Sequence, residues 1–359
     1  MSALMYKENF DDARARLSRW WHGEDIGRPA MLLTAPRREP VENIPMMSEP
    51  DGWSGRYSTS DFDYRVNLAL RACVNTHYIA EAIPAVSPDL APNCLALYLG
   101  CHGVEQPGTV WCEPCIESAE DAVFQFDSGN FYWNFTRRLA NEQLHRGQGK
   151  FLTSFPDLIE GLDTLAAMRN TQTLLVDLIE RPEWVSKALK KITAQYFVVY
   201  DQLYDMIKDD QGGSHFWAWA PGRMSKLQCD FSAMISPEMF GEFMVPVLTE
   251  MTESLDYCMY HWDGPGALPH HDHLLSIPRL SMIQWTPGAG AEGVTNRRWW
   301  PYYHKTIEAG KKVILLGFQG DDNLRAFKKE FGHKLKDFMI SMRVSDERHT
   351  REVLSIVSD

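Results

Sequence analysis

The sequence contains no long apolar run, no block of lysine and arginine, no low-complexity tract and no internal repeat. Each absence excludes something. Without a stretch of some 20 apolar residues, no membrane-spanning helix is expected. Without a basic block, and with a formal net charge of −12, neither nucleic acid nor an anionic membrane surface is an expected partner. No Gly-rich dinucleotide turn follows an early strand, which argues against a doubly wound open sheet binding a nucleotide. The segment from Met1 to His22 mixes Lys7, Glu8, Asp11, Asp12, Arg14 and Arg16 with apolar residues, so it lacks the apolar centre of a secretory leader. The seven cysteines are odd in number and scattered, which reads as free thiols in a reducing cytoplasm.

What is present is a large apolar inventory: 359 residues, 44% hydrophobic and 12% aromatic, enough for an extensive core. Residues 8–22 predict an amphipathic helix ending at His22-Gly23. Met31 to Ala35 predicts a buried strand stopped by Pro36, and residues 37–63 a long loop rich in proline, glycine, serine and charge. Residues 64–82 have helical spacing, and Leu95 to Gly100 predicts a second short strand. Further strands are expected at Phe151–Phe155, His215–Ala220, Asp256–Trp262, Leu280–Thr286, Val313–Phe318 and Phe338–Val344. Helical pattern runs from Leu158 to about Asp209 with a break at Arg181-Pro182, and Ser236-Pro237-Glu238 starts another helix. About eight short strands, each followed by helical pattern, predict an α/β fold of the (β/α)8 TIM-barrel type. It forms one domain over 1–359, with residues 1–30 as an N-terminal extension.

In such a fold the polar residues just past each strand meet at one mouth. Here those positions hold Arg37, Arg38, Asp157, Trp219, His261, Asp263, Gln284, Trp285 and Gln319. The densest group is Tyr260-His261-Trp262-Asp263-Gly264. Strand alternation puts His261 on the side of Met259 and Tyr257, with Cys258 and Tyr260 facing the other way. A histidine and a carboxylate two apart at a strand end can hold one divalent metal or form an acid/base pair; equally, the aspartate can simply orient a structural histidine. Asp230, between a strand and a capped helix, is either a site acid or a loop-stabilising residue. His270, His271 and His273 read as a solvated helix, with His270 and His273 on one face. Trp111-Cys112-Glu113-Pro114-Cys115 looks like a thioredoxin active-site box but lacks the preceding strand and following helix start, and as a zinc half-site it lacks a second Cys-x-x-Cys. Trp217, Trp219, Trp285, Trp299 and Trp300 suit either an aromatic wall or core filling.

The run Asp230-Phe231-Ser232 through Met234-Ile235-Ser236-Pro237-Glu238-Met239-Phe240-Gly241-Glu242-Phe243, then His261-x-Asp263-Gly264, then Ile283-Gln284-Trp285-x-Pro287-Gly288, resembles the uroporphyrinogen decarboxylase superfamily. The resemblance covers residues 215–345 and, more faintly, 28–160. It implies a (β/α)8 barrel and either of two activities, decarboxylation or zinc-dependent methyl transfer with a corrinoid protein as partner. The decarboxylase branch carries an Arg-rich loop after the first strand; Arg37 and Arg38 stand there without the rest of that pattern. The methyltransferase branch carries His-x-Cys-Gly at the strand end and a further cysteine near the last strand. His261 matches the histidine, Asp263 replaces the cysteine, and Phe338–Val344 has no cysteine. A His/Asp pair is harder than a thiolate pair and favours an oxygen ligand over a thiol.

Three readings follow. The first is a methyltransferase-like enzyme in which His261 and Asp263 bind zinc or another divalent metal. Catalysis would involve His261, Asp263 and Asp230, substrate binding Arg37, Arg38, Asp157, Trp219, Gln284 and Trp285, and the partner would be a corrinoid protein. The second is a metal-free lyase or decarboxylase with a substrate carboxylate on Arg37 or Arg38 and a proton moved by His261 or Asp263. The third is a non-catalytic ligand-binding barrel. A small-molecule substrate is common to all three, and a homodimer is compatible with each.

Overall fold

The computed structural model describes residues 3–49 and 55–358, so residues 50–54 of the long loop expected over 37–63, and residues 1–2 of the expected N-terminal extension, lie outside the described residues. The strands are β1 (Ala30–Pro36), β2 (Thr76–Ala80), β3 (Ala85–Val86), β4 (His102–Gln106), β5 (Thr109–Glu113), β6 (Leu152–Thr153), β7 (Ser214–Phe216), β8 (Ala218–Ala220), β9 (Met224–Gln228), β10 (Tyr257–Asp263), β11 (Met282–Thr286), β12 (Lys312–Phe318) and β13 (Phe338–Arg343). The helices are α1 (Phe10–Trp21), α2 (Phe62–Val74), α3 (Cys94–Tyr98), α4 (Phe131–Gly147), α5 (Gly161–Arg169), α6 (Thr171–Glu180), α7 (Pro182–Ile207), α8 (Pro237–Glu253), α9 (His271–Ser276), α10 (Trp300–Glu308), α11 (Asp321–Phe331) and α12 (Glu347–Val357). Among the described residues no helix is long and apolar enough to cross a membrane.

The central sheet has seven strands in the order β2-β1-β13-β12-β11-β10-β9. Its pairings are parallel except for β2, which runs antiparallel to β1 at one edge. Helices follow most of the parallel strands, as parallel connections require. The ladder stops at β2 and at β9. Outside it, β3 pairs with β6, and single backbone bonds run from Glu81 N to Met31 O (2.9 Å), Ser154 N to Val86 O (2.7 Å) and Phe155 N to His215 O (3.0 Å). The architecture is therefore α/β with a mostly parallel central sheet, rather than one continuous eight-stranded ladder.

Four local expectations change. The helical spacing read over 64–82 holds only to Val74, where α2 ends; Thr76–Ala80 is the edge strand β2. The segment expected as a strand at Leu95–Gly100 is helical, with Asn93 capping α3 through a bond from Ala96 N. Five consecutive buried apolar residues carry no period that separates helix from strand. His215–Ala220 is two short antiparallel strands, because Trp217 adopts φ +56° and reverses the chain. The histidines of 270–273 are not a solvated face. His270 is buried against Phe240 with its Nε2 2.8 Å from Ser232 O, and His271 stacks on Trp262 at 4.4 Å. The β4–β5 hairpin, turned at Pro107-Gly108, and β9 were not expected from the sequence.

Helix α1 buries Phe10, Ala13, Leu17, Trp20 and Trp21 on one side, the period of an amphipathic helix. It is tied to the body by Trp21 Nε1, which donates to Trp219 O at 2.9 Å, and by Arg14. The Arg14 guanidinium is buried and reaches Asp209 at 3.0 Å, with Asp11 and Asp210 at 2.5 Å. Asp209 in turn accepts from Trp219 Nε1 at 2.8 Å. Replacing Arg14 leaves the buried Asp209 carboxylate without its cation, while Asp11 and Asp210 remain partly solvated. Arg14→Met is expected to cost about 3 kcal/mol in urea unfolding; a cost under about 0.5 kcal/mol, the surface norm, would contradict this anchoring.

Candidate functional site

Parallel register builds the site. Gln228 on β9, His261 on β10 and Gln284 on β11 are aligned with one another across the sheet, near the C-terminal ends of their strands. Strand alternation then turns the three side chains to one face. Two residues on, Asp263 lies beside Thr286, and the chain turns at Gly264, whose φ of +77° and ψ of 159° suit only glycine. Trp262, between His261 and Asp263, faces the opposite layer, where it packs on His271, Trp285 and Tyr302.

His261 Nδ1 is hydrogen-bonded to Gln284 Oε1. The Gln284 amide nitrogen donates to Trp285 O and to Thr286 Oγ1, both at 2.9 Å. Because a backbone carbonyl can only accept, this orientation presents the amide oxygen to His261. The imidazole proton therefore sits on Nδ1, and the Nε2 lone pair is free to face Asp263, whose Oδ2 is 3.8 Å away. Burial, and then the charge of Lys226, lower the imidazole pKa, so His261 is neutral near pH 7. Trp217 crosses the ring edge-on at 5.4 Å.

Asp230, His261 and Asp263 each place a ligand-type atom within 4.8 Å of one another. Asp263 Oδ1 is buried and has no hydrogen-bond partner. Burial among neighbouring atoms, and then the charge of Asp263, push the Asp230 carboxyl up, although the residue is exposed at the rim. Two carboxylates and a neutral imidazole with a free lone pair, one buried oxygen lacking any donor, fit a divalent cation with room for further ligands.

Beneath this group lies a buried polar chain that the sequence reading missed. Lys226 is almost wholly buried, pairs with Asp157 at 2.5 Å and donates to Gln228 Oε1. Gln228 Nε2 reaches Asp230 Oδ2 at 3.2 Å, and its backbone N–H donates to Glu160 Oε1 at 2.7 Å. Asp163 accepts from the backbone N–H groups of Asp230 and Phe231, each at 2.8 Å, which fixes the loop that carries Asp230. Burial, then the charge of Asp230, raise the Asp163 pKa to about 6; burial raises that of Glu160 well above the carboxylate range. Ile159 at φ +56° and Trp217 at φ +56° hold non-glycine residues in the left-handed region beside this chain, strain of the kind that collects at functional sites. The signal that could have found Lys226 is a cation at alternate spacing with Gln228 inside the short run Met224–Gln228.

The other expected residues divide. Asp157 joins the site through Lys226, and Gln284 through His261. Trp219 and Trp285 are core residues, Trp219 bonded to Asp209 and Trp285 packed on Trp262 and Trp299. Arg37 donates to Thr76 O at 3.0 Å and Tyr6 O at 3.2 Å, and Arg38 is exposed on the loop after β1. A cavity of about 530 Å³ opens beside Asp230, bounded by Gln228, Asp163 and Phe231 on one side and by Val110, Trp111 and Cys112 of the β4–β5 hairpin on the other. That volume suits a small organic ligand.

No family model matches the chain, and no curated protein matches it. Among solved structures, it is similar to a methyltransferase from Methanosarcina mazei, with a TM-score of 0.62 and 11% identity, covering 96% of this chain and 97% of that one. At that identity the likeness is one of fold.

The burial of Asp230 and Asp163, and then their closeness to other carboxylates, costs stability when no cation is present. A raised carboxyl pKa means that the folded state holds its proton longer than the unfolded chain, so this part of the stability is lost as pH rises through that pKa. Asp230→Asn is expected to raise the melting temperature of the metal-free protein at pH 7, with less gain at pH 4; an equal gain at both pH values, or a loss at pH 7, would contradict the electrostatic reading.

Proposed function

We propose that the chain is a metal-assisted methyltransferase in which Asp230, His261 and Asp263 hold one divalent cation, zinc being the first candidate. The observation that carries the proposal is the pairing of a free His261 Nε2 with the unpartnered, buried Asp263 Oδ1, both within 4.8 Å of a carboxylate oxygen of Asp230, which lines a cavity of ligand size. The fold likeness to a methyltransferase over nearly the whole chain supports the reaction class. So does the resemblance of the 215–345 segment to the uroporphyrinogen decarboxylase superfamily, with the barrel and the corrinoid-protein partner that it implies.

The donor set bears on the substrate. Two carboxylates and an imidazole are hard ligands, and a cation held by them acts as a Lewis acid toward oxygen. The substrate is accordingly an oxygen-bearing small molecule that gives or takes a methyl group, not a thiol. Gln284 keeps His261 in the ligating tautomer, and Asp163 keeps Asp230 turned toward the group. Lys226, held by Asp157, donates to Gln228 and through it is placed to hold a proton behind the group.

A second reading, a metal-free lyase, is favoured by one observation: a buried lysine lies against Asp157 within reach of His261's field. In that reading Lys226 takes the place expected for Arg37 or Arg38 as the partner of a substrate carboxylate.

Titration calorimetry with zinc is expected to show one site, lost in His261→Ala and Asp263→Ala. Gln284→Leu should weaken it by about 10–100-fold. At a cation concentration of about 100 times Kd, the fold should gain about 2.7 kcal/mol. The zinc-loaded protein should transfer a methyl group from an aryl methyl ether to reduced cobalamin, followed by the visible spectrum of the cobalt. No zinc binding by the wild type, with a substrate carboxylate bound in a Lys226-dependent way, would replace the first reading by the second.

A further inference from the structure

The thiols of the Trp111-Cys112-Glu113-Pro114-Cys115 run are not part of the Asp230, His261 and Asp263 group just described, and the fold adds a third thiol to them. Cys101, which precedes β4, and Cys115, which follows β5, stand at the open base of the β4–β5 hairpin. Their sulfurs are 3.6 Å apart. Cys101 is buried, Cys115 is exposed and Cys112 is half-buried on β5. The base is packed on the end of α5: Cys115 N donates to Met168 O at 2.9 Å, and Cys101 Sγ lies 3.7 Å from Ala167 O. The same hairpin supplies Val110, Trp111 and Cys112 to the cavity beside Asp230, with Trp111 exposed at its rim.

We propose that Cys101 and Cys115 are a redox pair that closes to a disulfide when a peroxide oxidises the exposed thiol, tying the base of the hairpin that walls the cavity. The attacking group is Cys115: it is the exposed thiol of the pair, open to the oxidant, and its contact with the Cys101 sulfur lowers its pKa. The Cys115 thiolate attacks one peroxide oxygen, the O–O bond breaks, and the departing hydroxide takes up a proton as water. Cys115 is left as a sulfenic acid. The Cys101 sulfur then attacks the Cys115 sulfur, the S–O bond breaks, and a second water leaves with the Cys101 proton. Two thiols and one hydrogen peroxide thus give one disulfide and two waters. The sulfurs, 3.6 Å apart, are already in van der Waals contact across the base of the hairpin.

The test uses the full chain under native conditions. The protein is exposed to hydrogen peroxide, free thiols are alkylated, and peptides are mapped by mass spectrometry with and without dithiothreitol. The expected result is a Cys101–Cys115 cross-linked peptide, two hydrogens lighter than its parts, that disappears on reduction. In Cys101→Ser the cross-link is lost and Cys115 is trapped by dimedone as a sulfenic acid. Should burial of Cys101 make that variant unstable, Cys115→Ser, altered at an exposed position, must also lose the cross-link while Cys101 stays reduced. A Cys112–Cys115 link in its place, a link only between molecules, or a link that forms only in denaturant overturns the proposal.

Discussion

The site depends on one hydrogen bond, that between His261 Nδ1 and the amide oxygen of Gln284. Parallel register sets the two residues side by side on adjacent strands, and the carbonyl of Trp285 dictates which way the amide points. The amide then dictates the tautomer, and the tautomer leaves Nε2 as a base aimed at the carboxylates. This chain of constraints begins in backbone geometry, the strand register and the Trp285 carbonyl, and passes through one side-chain amide held at both ends, which is how a sheet holds polar groups to narrow tolerances.

The neighbouring charges show what such a site asks of the fold. Asp163 and Glu160 are acids held near or above their proton-release range by burial, and Lys226 is a cation enclosed among them. None of these is an economical way to build a core, since each charged group loses hydration. Their partners are nonetheless well arranged: Asp163 receives two backbone donors, and Lys226 receives Asp157 and Gln228. Strained backbone at Ile159 and Trp217 lies beside the same groups. Cost gathered at one spot, in a protein otherwise packed on an apolar core, supports the proposal that this group is the working site.

Much of this was legible in the residues, and the limits have physical causes. Strands β10, β11, β12 and β13 carry dense apolar runs ended by glycine, proline or aspartate, so their positions and the grouping of His261, Asp263 and Gln284 could be read directly. Asp230 could be named but not assigned, since its role depends on a loop held by Asp163, 67 residues away. Lys226 escaped notice because β9 is short and mixed in polarity, and a buried lysine becomes recognisable only once its carboxylate partner is in place. The tryptophans divide by side: Trp217 stands at the edge of His261, while Trp219 and Trp285 fill the core, a distinction that composition does not carry. Closure of an eight-stranded ring was a matter of count in the sequence, whereas the ladder itself depends on hydrogen bonds at β2 and β9 that no residue pattern specifies.

The central claim is that Nε2 of His261 and the carboxylates of Asp230 and Asp263 meet at one cation. An anomalous difference map from crystals grown with zinc, collected on both sides of the zinc edge, tests it most directly. The account predicts a single peak within bonding distance of those three side chains, with Nδ1 of His261 still on Gln284. A peak on the cysteines of the β4–β5 hairpin instead, or none near His261, would contradict it.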